Sequence, residues 1–290
     1  VDENSLKGKF SVTNPNFKDS DKSIRLSFES LATDLLDTSG YKSNRTGFEV
    51  GTNFEYLDDF NLGLGQSSYY EKISTNSSAS SRQKSQEGNY WDTFIFIDVD
   101  YDKRNQKYQT SEGYRSFYSL DLPLISDTNT LTNTYSYTFY DELYEENVSS
   151  ISFYAKTANS LTGNDIKLSE RLFLPGKKLR GFEQGKIGPK DGSDYIGGNF
   201  ISSVNITSTI PQILPNSENT DFVVFMDVAN IWGVDYDSSI DTSNKIRSSV
   251  GFGIDWFSIL GPINFSLSQA LSKNSTDKTE TFRFNLGTTF

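Results

Sequence analysis

Residues 246–256 read Ile246-Arg247-Ser248-Ser249-Val250-Gly251-Phe252-Gly253-Ile254-Asp255-Trp256, and this order decides the fold. Ile246, Ser248, Val250, Phe252, Ile254 and Trp256 take alternate positions, with Arg247, Ser249, Gly251, Gly253 and Asp255 between them. A period of two is the spacing of a strand, because successive side chains of an extended chain point to opposite faces. After a turn at Gly261-Pro262 the pattern resumes: Ile263, Phe265 and Leu267 alternate with Asn264, Ser266 and Ser268. In the last segment Phe282, Phe284, Leu286, Thr288 and Phe290 share one face, and Arg283, Asn285, Gly287 and Thr289 share the other.

Working backward, the same spacing predicts strands near 6–17, 22–33, 45–57, 61–73, 90–102, 113–124, 131–142 and 148–159. After a long irregular stretch it predicts strands near 196–210, 220–232, 245–257, 261–271 and 279–290, thirteen in all. Short connections such as Asp58-Asp59 alternate with long ones such as Ser74–Asn89. Tight turns at one end and long loops at the other are the pattern of a membrane β-barrel. No helical periodicity, linker or long-period repeat marks a second domain.

Composition narrows the function. The 290 residues include no Cys and no His, which excludes disulfides, Cys/His metal centres and a histidine base; no cofactor and no enzymatic activity are expected. The net charge of −11 argues against nucleic acid as a partner, since phosphate binding rests on Lys and Arg. Mean hydropathy is negative and no apolar run approaches the roughly 18 residues of a membrane helix, but a β-barrel gives the same bulk values. Sixteen Tyr, 22 Phe and 3 Trp are too many large apolar groups for a disordered chain. The alternation alone suits either a soluble sandwich or a membrane barrel. Thirteen unbroken strands, with Trp91, Tyr101, Tyr135, Tyr137, Trp232 and Trp256 near strand ends, favour the barrel and its aromatic girdles.

Two acidic stretches fail as calcium loops. Asp98–Asp102 is followed by Lys103 and Gln109 where such a loop needs Gly and Glu, and the stretch opened by Asp235 has Ile240 and Ile246 there. The most unusual stretch lies within the irregular segment Ser160–Tyr195: Leu179-Arg180-Gly181-Phe182, followed by Ile187-Gly188-Pro189-Lys190. A loop of this length that keeps its apolar residues is expected to be functional. An arginine in such a loop needs a carboxylate if it enters a lumen.

These motifs resemble the sixth extracellular loop of the BamA family of outer-membrane β-barrel assembly factors. Ser11-Val12-Thr13-Asn14-Pro15, Gly197-Gly198-Asn199, Phe225–Trp232, Leu260–Ser266 and Phe282–Phe290 resemble further family motifs in the family's order, so the resemblance spans nearly the whole chain. It implies an all-β, antiparallel transmembrane β-barrel of the BamA type with about thirteen of sixteen strands. Residues 1–290 are then the C-terminal barrel domain, without the POTRA domains and the first three strands, and 160–195 an extracellular loop folding into the lumen. The loop arginine corresponds to Arg180 and its strand aspartate to Asp227. Two positions depart: the glycine after that aspartate is Ala229, and a second acidic partner is replaced by Thr207.

The implied function is assembly and insertion of β-barrel proteins into the bacterial outer membrane. It would proceed by strand templating at a lateral gate whose C-terminal half includes Phe282, Phe284, Leu286, Gly287 and Phe290. The implied partners are outer-membrane lipids, unfolded β-barrel clients and Bam-complex lipoproteins, the last mostly through the POTRA domains. The alternatives are a related two-partner-secretion or translocation pore, which shares the loop motif, and a passive porin.

Overall fold

Thirteen antiparallel strands follow one another in chain order and each pairs with the next. The computed structural model describes residues 5–107, 109–211, 213, 219–235, 240, 245–258 and 261–286. The strands are β1 (Ser5–Asn14), β2 (Ser23–Leu35), β3 (Tyr41–Leu57), β4 (Phe60–Thr75), β5 (Gly88–Asp102), β6 (Gly113–Ser126) and β7 (Thr130–Tyr144). They continue as β8 (Asn147–Ser160), β9 (Phe200–Thr209), β10 (Thr220–Trp232), β11 (Arg247–Ser258), β12 (Gly261–Ser272) and β13 (Phe282–Leu286). All thirteen expected strands are present, in one sheet without a crossover. Gly287 and Phe290 of the expected gate strand lie outside the described residues.

The alternation in the sequence is the alternation of the wall. Met226, Phe252, Trp256, Leu267, Phe282, Phe284 and Leu286 are exposed on one face. Their strand neighbours Phe225, Asp227, Gly253, Ser266 and Ser268 are buried on the other. A soluble sheet would bury the large apolar side chains and expose the polar ones; this wall does the reverse on its outer face, as a lipid-facing barrel requires. No helix among the described residues is long and apolar enough to cross a membrane, which leaves crossing by strands untouched.

The core is not made between two sheets. Leu172, Leu174, Leu179, Phe182 and Ile187 of the 161–199 connection pack on Ala158, Ile201, Ala229 and Ile231 of the inner wall. A second cluster joins Leu168 of the same connection to Tyr41 and Ile73 at the starts and ends of neighbouring strands. The long loop therefore supplies most of the apolar core that packs on this face of the wall. Local structure departs from the sequence reading only in short pieces. Ser80 and Gln83 form a reciprocal capping box on a single helical turn, Ser81–Lys84, too short to carry a helical period.

The outer face generates a direct test. Phe252→Arg places a cation on the exposed apolar face and is expected to cost roughly 2–4 kcal/mol if that position lies near the bilayer midplane. Denaturant unfolding in lipid vesicles measures it; a cost near zero would contradict a lipid-facing wall at Phe252.

Candidate functional site

The loop is fixed to the wall by a series of buried charges. Arg180 follows Leu179, which is 2% exposed and anchors the backbone in the core. From there its guanidinium forks onto Asp227 of β10: Nε donates to Oδ2 at 2.8 Å and Nη2 to Oδ1 at 2.7 Å. The Arg180 backbone N–H also donates to Oδ2, at 2.9 Å. Asp227 has no exposed side-chain surface, so its charge depends on these donors rather than on water. Asn205 on β9 donates from Nδ2 both to Asp227 Oδ1 and to the Lys178 carbonyl, each at 2.9 Å, tying the aspartate to the loop a second time. The guanidinium lies 3.4 Å from the centre of the Phe225 ring, a cation–π contact on the same strand. Thr207 Oγ1 accepts from Arg180 Nη2 at 3.5 Å, at the outer limit of a hydrogen bond.

The glycine that follows is required by two constraints. Gly181 has φ of +87°, which disfavours any side chain, and a Cβ there would sit 3.3 Å from the Cβ atoms of Ser249 and Ser268. Those small residues open the wall where the loop backbone approaches it, and Ser249 Oγ donates to the Arg180 carbonyl at 2.5 Å. Phe182, 1% exposed, then plugs the core. Ile187, Gly188 and Pro189 are likewise buried. Gly188 also has positive φ, +95°, and a Cβ would come within 2.8 Å of Ile231. Of the residues expected to form a gate strand, Phe282, Phe284 and Leu286 are exposed on the outward face of β13 and make no part of this cluster.

The sequence reading missed three further charged anchors. Lys167 is 1% exposed and lies 2.6 Å from Asp92, 2.9 Å from Glu71 and 3.3 Å from Glu170. Burial by itself would push its ammonium down, but Glu170, Glu71 and Asp92 together raise it above the ordinary lysine range. Burial pushes Glu170 up, opposed by Lys167 and by the hydroxyl of Thr130. Arg171 reaches Asp235 at 2.8 Å and Asn199 at 3.3 Å. Arg247 on β11 pairs with Asp277 at 2.8 Å, with neither side chain exposed. Apart from Glu170, three residues after Lys167, each carboxylate comes from another part of the chain, so no local spacing announces these pairs. The one available signal is a Lys or Arg between apolar residues, as in Ile166-Lys167-Leu168.

Two further connections contact this loop. The pair of two-residue strands Lys190–Asp191 and Asp194–Tyr195 docks on connections 36–40 and 76–87. Tyr195 N–H donates to Thr38, Ser80 Oγ to Asp191 and Gln83 Nε2 to Asp194. A family model described as the Omp85 superfamily domain matches residues 1–290.

The chain belongs to the Omp85 superfamily.

Within Omp85 relatives, the outer membrane protein assembly factor BamA of Neorickettsia risticii is 25% identical over 256 residues, 86% of this chain and 34% of that protein. The BamA of Neisseria meningitidis serogroup B is 30% identical over 141 residues, 39% of this chain and 17% of that protein. The chain thus spans about a third or less of the length of these curated relatives. Among solved structures, BamA from Haemophilus ducreyi lacking POTRA domains 1-3 superposes with a TM-score of 0.86 at 22% identity, covering 97% of this chain and 61% of that one. CdiB from Acinetobacter baumannii gives 0.62 at 11% identity, covering 97% and 50%. The fold is that of the BamA barrel.

The anchors of this Omp85 barrel differ in what their loss leaves behind. Arg180→Ala strands Asp227 without a cation and is expected to cost about 3–5 kcal/mol, read as earlier loss of heat-modifiable gel mobility; unaltered mobility would count against the clamp. Lys167→Met strands three carboxylates. Because the folded lysine titrates above its unfolded value, the ammonium's contribution is complete below the ordinary lysine pKa and is lost only as pH rises through the folded value. The stability gap between Lys167→Met and parent is therefore expected not to close between about pH 7 and 10, near the reference lysine pKa. A gap that closes within that range would refute the assignment.

Proposed function

We propose that this chain is the barrel of an outer-membrane assembly factor that folds and inserts other β-barrel proteins. The observation that carries this reading is the loop-filled interior clamped by Arg180 and Asp227. A passive porin needs an open aqueous path, whereas this interior holds an apolar core contributed by the loop. The outward apolar face suits residence in the bacterial outer membrane, and the BamA relatives bear the name of outer membrane protein assembly factors.

The physical task is backbone pairing. A client strand cannot enter lipid with its N–H and C=O groups unpaired. A barrel edge that offers those groups partners lowers that cost and sets the register of the incoming strand. In this chain β13 would present the templating edge at a lateral gate, and the clamped loop would keep the wall beside it stiff. No covalent bond is made or broken. Lipoprotein partners would act mostly through POTRA domains.

The test uses the full-length natural protein in vesicles, with an unfolded β-barrel client added from denaturant. The protein is expected to speed the appearance of folded, protease-protected client, and Arg180→Ala to slow it several-fold. Unchanged client folding with or without the protein, together with a steady solute-selective conductance, would establish a pore instead.

A further inference from the structure

Connection 273–281 touches both ends of the machinery. It runs from β12 directly into β13, and it lies against the segment that carries Arg180. Phe182 and Thr279 form an antiparallel bridge. Around it Glu280 N–H donates to the Gly181 carbonyl at 3.2 Å, Glu183 N–H to the Lys278 carbonyl at 3.1 Å, and Lys278 N–H to the Lys186 carbonyl at 3.0 Å. The loop and this connection are therefore strand-paired, as two pieces of one small sheet.

Two side chains lock that pairing at either end. Asp277, held by Arg247 with bonds of 2.8 and 2.9 Å, also accepts from the Gly188 N–H at 3.3 Å. Arg283, the first inward-facing residue of β13, donates from Nη2 to the Phe182 carbonyl at 2.6 Å and pairs with Glu280 at 2.5 Å. Gly176 lies under the same guanidinium: a Cβ there would stand 2.3 Å from Arg283 Nη1. Arg283 thus touches the loop at the residue two places after Arg180, while its own backbone sits in β13.

β13 needs such a hold. Its described residues pair with β12 alone, over Phe282–Leu286. We infer that connection 273–281 is a stiff link between the Arg180 clamp and β13, with Arg283 the positioning residue that transmits loop position to that strand. The chain of contacts is short: Asp227 fixes Arg180, the adjoining Gly181 carbonyl fixes Glu280, and β13 begins two residues later. Releasing the loop would then free β13, and displacing β13 would strain the clamp. The use of this link in templating rests on the gate reading above; the link itself does not.

Amide hydrogen exchange on the full-length protein in lipid tests it, with three variants. Arg180→Ala is expected to speed exchange about tenfold or more in residues 276–286, although the hydrogen bonds of Arg180's side chain go to Asp227 and Thr207. Arg283→Gln is expected to do the same in residues 179–188. Lys167→Met, which releases the loop's start, is expected to leave 276–286 at the parental rate. Arg180→Ala confined to loop amides, or Lys167→Met loosening both regions equally, would overturn the link. If Arg283→Gln does not fold, Arg283→Lys is read the same way, since lysine keeps the charge but cannot fork between Glu280 and the Phe182 carbonyl. Client folding is measured in parallel: coupled exchange with parental client folding in Arg283→Gln would leave the link standing and remove its role in assembly.

Discussion

A carboxylate with no solvent contact, Asp227, sits on the inner wall, and the structure is arranged around supplying it with a cation. Burying an ion costs several kcal/mol unless a partner and hydrogen bonds replace the water. Here the partner comes from a loop, so the cost of an unpaired Asp227 is the force that holds the loop in place. The loop in turn brings Leu179 and Phe182 with it, and these complete a core that the strands alone could not close. One electrostatic requirement therefore fixes where the apolar filling goes.

The same logic recurs along the loop, with the charges distributed differently. Lys167 satisfies carboxylates from two wall strands, and Arg171 reaches a connection. At Asp277 the wall supplies the arginine, Arg247, and a connection the carboxylate. Buried pairs of this kind add little net stability over apolar replacements, yet breaking one is costly. They specify a position more than they strengthen it. Ser249 on β11 and Ser268 on β12 make the room the loop backbone occupies at Gly181, and Gly251 on β11 leaves room for the Phe225 ring. An inner face of larger side chains would leave the charges no path to one another.

How much of this is legible in the sequence depends on how local each signal is. Strand alternation is local, so Phe252 and Gly253, or Met226 and Asp227, declare their faces without any neighbour known. The loop is legible as an anomaly because apolar residues persist where polar turn residues are expected. Arg180 and Asp227 become a pair only through the family resemblance, since 47 residues separate them. Lys167 and its wall carboxylates Glu71 and Asp92, 75 residues or more away on separate strands, leave no such trace, nor do Arg247 and Asp277. Inward-facing Glu71, Asp92 and Asp277 look like any lumenal polar residue. Only the three-dimensional arrangement distinguishes a solvated carboxylate from one that a loop must reach. Thr207, read as the replacement for a second acid, stands close enough to accept a weak bond, while the support that Asn205 lends Asp227 has no counterpart in the sequence reading.

The loop stays against the wall because Arg180 and Asp227 each need the other. A double-mutant cycle measures that mutual need, using Arg180→Ala, Asp227→Ala and the combined variant, with unfolding followed in lipid vesicles. The double variant is expected to be no worse than the more damaging single one, a coupling of about 1.5 kcal/mol or more, within the range measured for close charge pairs. Additive losses, with coupling below about 0.5 kcal/mol, are what independent sites give and would contradict it.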